Sequence, residues 1–330
     1  LNSARPMPLS PATPSLARRA ALPAAFAALS LASLLIGAKD IGIGWIFDPS
    51  PEALLVLTAS RLPRLIALVL TGMGLAISGV ILQQILRNRF AEPATTGGME
   101  AAKLGILVAL TLFPAAAPLL RMGVAMLFCL AANLIFVAIL QRIRFRDAVL
   151  VPVIGLMFGA VLGALAEFYA FSRNMLQSMQ GWMLGDFSRI VQGHYEMIYL
   201  VLPVVVLTYV FARRFTVLAM GQDMAESLGL GYRGMVALGL TLVSATVAAT
   251  VITAGAVPFV GLVVPNLVTL WRGDNLRQTL PTVALSGGCL LLFCDILGRI
   301  VIYPYEVPLG LTVGAVGGAI FLLLILRRPA

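Results

Sequence analysis

Apolar residues fall in long unbroken runs, separated by short polar, glycine-rich or proline-rich breaks, along almost the whole chain. The runs cover residues 20–38, 63–86, 103–118, 122–140, 149–171, 195–212, 234–253, 257–271, 280–300 and 307–326. Most approach the roughly 20 residues that a helix needs to cross the hydrocarbon layer of a bilayer. A membrane β-barrel would instead show segments of about ten residues with alternating polarity. The pattern therefore predicts an all-α polytopic membrane protein with ten transmembrane helices, the third and eighth being the shortest.

Outside these runs, residues 1–19 are rich in Pro, Ser and Ala and read as a flexible cytoplasmic tail. Arg18 and Arg19 resemble the charged front of a cleaved signal, but the run after them is too long and lacks a small-residue cleavage site. A retained first span is expected. Residues 20–326 then form one transmembrane domain, interrupted at 213–233 by a polar cytoplasmic segment, and residues 327–330 form a cytoplasmic C-terminus.

Composition excludes the competing classes. The 330 residues are 60% hydrophobic and 11% charged, with a mean hydropathy of +0.99. A soluble domain carries about 25% charged residues, and a disordered chain is apolar-poor and charge-rich. Cys129, Cys289 and Cys294 all lie in apolar runs, where a thiol behaves as a small hydrophobe. The single histidine, His194, has no Cys or second His at ligand spacing and reads as a surface-loop residue. No metal site is expected.

The net charge of +9 comes without the basic, aromatic-interleaved stripe of a nucleic-acid binder, so none is expected as a partner. With the N-terminus inside, sixteen of the 23 basic residues, Lys103 among them, fall on the cytoplasmic side. That is the bias cytoplasmic loops show. It places both termini in the cytoplasm.

Small residues recur at helix-packing spacing: Gly155, Gly159 and Gly163; Gly310 and Gly314; and Gly72 with Ala76 and Gly79. Such faces let helices approach closely in lipid. The stretch GLTVGAVGG at 310–318 is not a nucleotide loop, since no strand precedes it and GxxxxGK[ST] occurs nowhere in the chain. Any ATP must be bound by another chain.

Four segments depart from the apolar background. Arg61 and Arg64 lie three apart at the start of the second span, as headgroup anchors or as a basic patch for an acidic partner. In the segment 213–234, Met220, Met224 and Leu228 repeat every four residues, Gln222, Asp223 and Glu226 face elsewhere, and Gly229 can end the helix. Surface-lying membrane helices favour Lys and Arg on the polar face; an acidic face points to a protein groove. In 255–281, Pro258, Gly261 and Pro265 interrupt a hydrophobic run, which membranes tolerate where protein or a water-filled cavity satisfies the freed backbone. That makes a pathway wall or a packing kink. Finally, Asp295 and Arg299 are spaced for a helical ion pair.

Together RLPR (61–64), NRFAEP (88–93), MGQDMAESLGL (220–230), FVGLVVPN (259–266) and the D-x-x-x-R before VPLG resemble the permeases of type II ABC importers for vitamin B12, haem and ferric siderophores, the FecCD-like family. The resemblance runs from about residue 55 to 326. GGMEAAKLG, GWMLGDF and IYPYEVP are most similar to the catecholate and petrobactin branch. It implies a non-enzymatic transport subunit of an inner-membrane importer, with ten helices and no cofactor of its own. ATP and Mg would sit on two ATPase subunits. A second permease, identical or related with the related chain favoured, and a periplasmic or lipid-anchored binding protein would complete the assembly.

The resemblance also implies roles. Arg61, Arg64 and Arg299 would meet acids of the binding protein. Gly221, Asp223, Ala225, Leu228 and Gly229 match the helix that couples to the ATPase. Asp147, Ala148 and Val149 occupy the cytoplasmic gate position, and Pro258, Gly261, Pro265 and Asn266 the pathway. The chain departs from the family at Asn88-Arg89-Phe90-Ala91, usually NPLA, at Asn266, usually His, and at Glu100 to Lys103. The expected cargo is a ferric siderophore, with haem or cobalamin as alternatives. The rival class is an ion-coupled secondary transporter, which carries ionisable groups near the midplane. Here Glu100 and Lys103 are expected near the cytoplasmic start of the third span.

Overall fold

The computed structural model describes residues 16–36, 51–143 and 150–326, and the described residues contain helices and no strand. Helix α1 (Leu16–Leu35) is followed by α2 (Pro51–Val56), which continues through a wide turn at Leu57–Arg61 into α3 (Leu62–Leu86). Then come α4 (Gly98–Leu112), α5 (Pro118–Arg142), α6 (Leu150–Ser172) and the short α7 (Leu176–Trp182). Helix α8 (Val201–Val210) bends into α9 (Ala212–Leu218), and α10 (Gln222–Ser227), α11 (Tyr232–Ala254), α12 (Val260–Arg272), α13 (Leu276–Ile300) and α14 (Leu309–Leu326) complete the chain.

Within the described residues, every apolar run falls mainly on helix. Among the described residues, six helical stretches are long and apolar enough to cross a membrane, and a seventh if Glu196–Val210 and Ala212–Leu218, bent by 67°, count as one. The third and eighth runs become α4 and α12, of 15 and 13 residues, and neither reaches that length. Three boundaries move markedly. The third run starts earlier, at Gly98, because Gly97 takes φ +78° just before it, and it ends at Leu112, two residues before Pro114. The second span starts at Leu54 instead of 63, because the helix passes through Pro63.

A proline inside a helix frees the carbonyl four residues earlier. For Pro63 that carbonyl is Ala59, and it accepts the Gln192 backbone N–H at 3.0 Å. For Pro265 it is Gly261, and it accepts Gln83 Nε2 at 3.2 Å. Each break is thus satisfied by a donor from a distant segment, as a water-poor setting requires.

Helix α3 is the central post, buried along most of its length. Its small face meets two other backbones. Gly72 packs on Gly287 of α13, with Ala76 beside it, and Gly79 packs on Gly261 of α12. A Cβ on Gly79 would lie 2.5 Å from the Gly261 Cα. The Gly155, Gly159 and Gly163 face of α6 likewise packs on Thr95, Gly97 and Glu100. Gly310 and Gly314 differ from the helix-packing unit expected of them. Gly310 fits against the Leu184 and Ala256 carbonyls, whereas nothing lies within 4 Å of a Cβ on Gly314.

Candidate functional site

Arg64, near the start of the 25-residue α3, and Arg87, its C-cap, mark two ends about 35 Å apart. Arg87 lies against Gly221 at the start of α10, so α10 sits at one end of the molecule and the Arg64 cluster at the other.

At the Arg64 end the structure brings together all three arginines read from the sequence. They do not form an open basic patch. Arg61 is buried and donates to the Leu34 and Leu35 carbonyls. Arg299 is buried, donates to the Ser33 and Ile36 carbonyls at 3.0 and 2.6 Å, and pairs with Asp295. These four carbonyls are at the C-terminus of α1, where the last groups of a helix lack intrahelical partners and carry partial negative charge. Arg64 places Nε and Nη2 on Asp295 Oδ1, at 3.1 and 2.7 Å, and Nη1 on Glu306 Oε2 at 2.7 Å. The Asp295–Arg299 pair forms as its spacing predicts, but Asp295 also serves Arg64 and its side chain is only 1% exposed. The charges of the cluster are balanced largely within the chain.

The interrupted segment is built from the positions the sequence singles out. After Gly255 (φ +91°) and Pro258, Phe259 takes φ +67° and opens α12, its ring side resting against Gly317 and Gly318 of α14. Glu92, buried in the loop between α3 and α4, accepts the Phe259 N–H at 3.3 Å. Asn266 Nδ2 donates to the Arg89 carbonyl at 2.8 Å and to Leu262 at 2.7 Å. The loop 87–97 and α12 are therefore one hydrogen-bonded unit.

Helix α10 begins after Gly221, whose φ of +99° suits glycine alone, and has Asp223 in its first turn, where the helix dipole favours an acid. It ends in a Schellman motif: the Leu230 N–H donates to the Ala225 carbonyl and the Gly229 N–H to Glu226, with Gly229 at φ +78°. Ala225 is buried against the body of the protein, while Met220, Met224 and Leu228 are more than half exposed. The apolar stripe thus faces outward. Asp147, Ala148 and Val149 lie outside the described residues.

Two placements correct the sequence reading. Glu100 packs against Gly163, near the middle of α6, and Lys103, paired with Glu100, lines a cavity of about 350 Å³ with Trp182, His194 and Glu196. Lys103 therefore lies toward the loop at 193–196. Glu100 is level with the middle of α6, and its side chain is 33% exposed. Glu92, Gln83 and Glu306 also belong to these sites. Only Gln83 had a sequence signal, the need for some donor to the carbonyl that Pro265 frees.

Comparison with known proteins matches residues 25–327 to the FecCD transport family. The ferric-anguibactin transport system permease protein of Vibrio anguillarum is 57% identical over 303 residues, covering 92% of this chain and 96% of that protein. The petrobactin import system permease of Bacillus subtilis is 46% identical over 302 residues, with the same coverages. Among solved structures, an inward-facing metal-chelate type ABC transporter superposes with a TM-score of 0.78 over 93% of this chain and 98% of that one, at 22% identity.

Proposed function

The chain belongs to the FecCD transport family, and from that premise we propose that it is the permease subunit of an ATP-driven importer of a ferric siderophore. The observation that carries this reading is the 57% identity, across 92% of the chain, to a permease named for ferric-anguibactin. A petrobactin permease at 46% supports a cargo of the petrobactin class, in line with the catecholate expectation. Haem and cobalamin are the alternatives within the family.

In this reading the protein is a multi-pass subunit of the bacterial inner membrane with both termini in the cytoplasm. With Lys103 set aside, the fifteen-to-seven bias of the other basic residues supports that orientation. A second permease, identical or related, would cover the apolar outer face of α6, where Leu156, Met157, Val161 and Phe168 are exposed. Two ATPase subunits would receive α10 through Met220, Met224 and Leu228, with Gly221, Asp223, Ala225 and Gly229 fixing its shape. ATP and Mg would be held by those subunits. The loaded binding protein would dock at the opposite end, over the cluster of Arg61, Arg64 and Arg299. Closure of the ATPases would then push α10 and, through Arg87 and α3, shift the α12 unit that contains Pro258, Gly261, Pro265 and Asn266. Asp147, Ala148 and Val149 would form the gate.

The double variant Met224→Asp, Leu228→Asp tests the coupling role. Both side chains are exposed, so stability should change by no more than about 0.5 kcal/mol per site. Co-purification of the ATPase should be lost and uptake should fall at least about tenfold, the change expected from about 1.4 kcal/mol of lost interaction. Normal co-purification and uptake would contradict the assignment.

A further inference from the structure

We infer that Glu306 is an internal stand-in for an acidic side chain of the docking partner, and that docking proceeds by displacing it from Arg64. The inference rests on the docking reading above and deepens it.

The three arginines are not equivalent. Arg61 and Arg299 are 8% and 6% exposed and hold the C-terminal carbonyls of α1. A partner carboxylate cannot reach them without unseating that helix. Arg64 differs because its guanidinium is shared between two acids of unlike exposure. Asp295, on α13, is 1% exposed and is held on its other oxygen by Arg299. Glu306 belongs to the connection between α13 and α14, and its side chain is 25% exposed.

Arg64 therefore has one permanent and one exchangeable counterion. Nε and Nη2 stay on Asp295, while Nη1 faces the exposed side through Glu306. A guanidinium with a fixed fork of donors suits such an exchange, since a new carboxylate can take over Nη1 without moving the rest. The exchange also removes a difficulty of the docking reading. A bare cluster of three cations would be costly in the free permease, whereas with Asp295, Glu306 and the α1 terminus in place it is close to neutral. A carboxylate arriving on the partner restores that balance once Glu306 swings out. The partner chemistry is thus an acidic protein side chain, and Glu306 sets the threshold that it must exceed.

The test uses the assembled permease–ATPase complex in lipid nanodiscs and the binding protein whose loss stops uptake through this permease. Glu306→Gln removes the competing charge but keeps the shape, and should tighten docking about tenfold, mainly through faster association, with the gain shrinking at high salt. Glu306→Asp keeps the charge and should dock within about twofold of the parent. Arg64→Gln, measured in parallel, should weaken docking at least about tenfold. If Arg64→Gln weakens docking while Glu306→Gln leaves it unchanged or weaker, docking at Arg64 stands and the displacement is wrong. If Arg64→Gln has no effect, the docking reading fails and the displacement with it.

Discussion

Replacing Arg299 by alanine is expected to lower the unfolding free energy by about 3 kcal/mol and to free the C-terminus of α1. The side chain is 6% exposed, pairs with a buried Asp295 and supplies donors to the Ser33 and Ile36 carbonyls. Removing one partner of a buried ion pair costs about 3–5 kcal/mol, because the other charge is left without its counterion. The lower end applies here, since Arg64 keeps its grip on Asp295 Oδ1. Lysine at 299 keeps the charge, but its single ammonium cannot hold Asp295 and two carbonyls in the same planar array. It should recover only part of the loss. Thermal unfolding in detergent is the measurement, and a change under about 0.5 kcal/mol, the size expected for an ordinary surface site, would contradict the role given to Arg299.

The second large effect is expected at Gly79. A Cβ there would overlap the Gly261 carbonyl and lie 2.5 Å from its Cα, and backbone cannot yield as the end of a flexible side chain does. Overpacking a tight contact costs about 1–3 kcal/mol and occasionally more. Gly79→Ala should reach or exceed the upper figure, because α3 and α12 must separate. The separation would also pull Gln83 away from the Gly261 carbonyl that Pro265 leaves open. Gly123 in α5 supplies the control, since nothing lies within 4 Å of a Cβ there. Gly123→Ala should be neutral or stabilising by up to about 1 kcal/mol, the helix-interior difference between the two residues. Yield of monodisperse protein and its melting temperature distinguish the two variants. Equal behaviour would contradict a backbone crossing at Gly79.

What the sequence made legible follows from the range of each interaction. Apolar runs reveal helices because spanning is a local property of about 20 residues. The stripe of Met220, Met224 and Leu228 and the stop at Gly229 were equally local, and the structure shows both. The arginine cluster was half legible. That Arg61, Arg64 and Arg299 share one end could be read from their places on the spans. That their charge is balanced by α1 carbonyls and by Glu306, 242 positions from Arg64, could not. No local pattern records which distant acid a cation will find. Lys103 was misplaced for a similar reason. A charge near the edge of an apolar run looks like a loop residue, and only the packing of Glu100 on Gly163 reveals that α4 starts deeper. Glu92 carries no local signal because its role, accepting the N–H where α12 begins, exists only once the loop and α12 meet.

The buried Glu92 and the Glu100–Lys103 pair give the ion-coupled alternative more substance than the sequence did, since such transporters place ionisable groups within the membrane. Their partners favour a structural role. Glu92 holds a backbone N–H, and Glu100 is paired with Lys103. The energy source therefore decides between the two classes. The decisive measurement is accumulation of a ferric siderophore in proteoliposomes that contain this permease with its ATPase and binding protein, with and without ATP and with and without a protonophore. Uptake is expected to require ATP and to be unchanged when the ion gradients are collapsed. Uptake that proceeds without ATP and stops when the gradients are collapsed would contradict ATP-driven import.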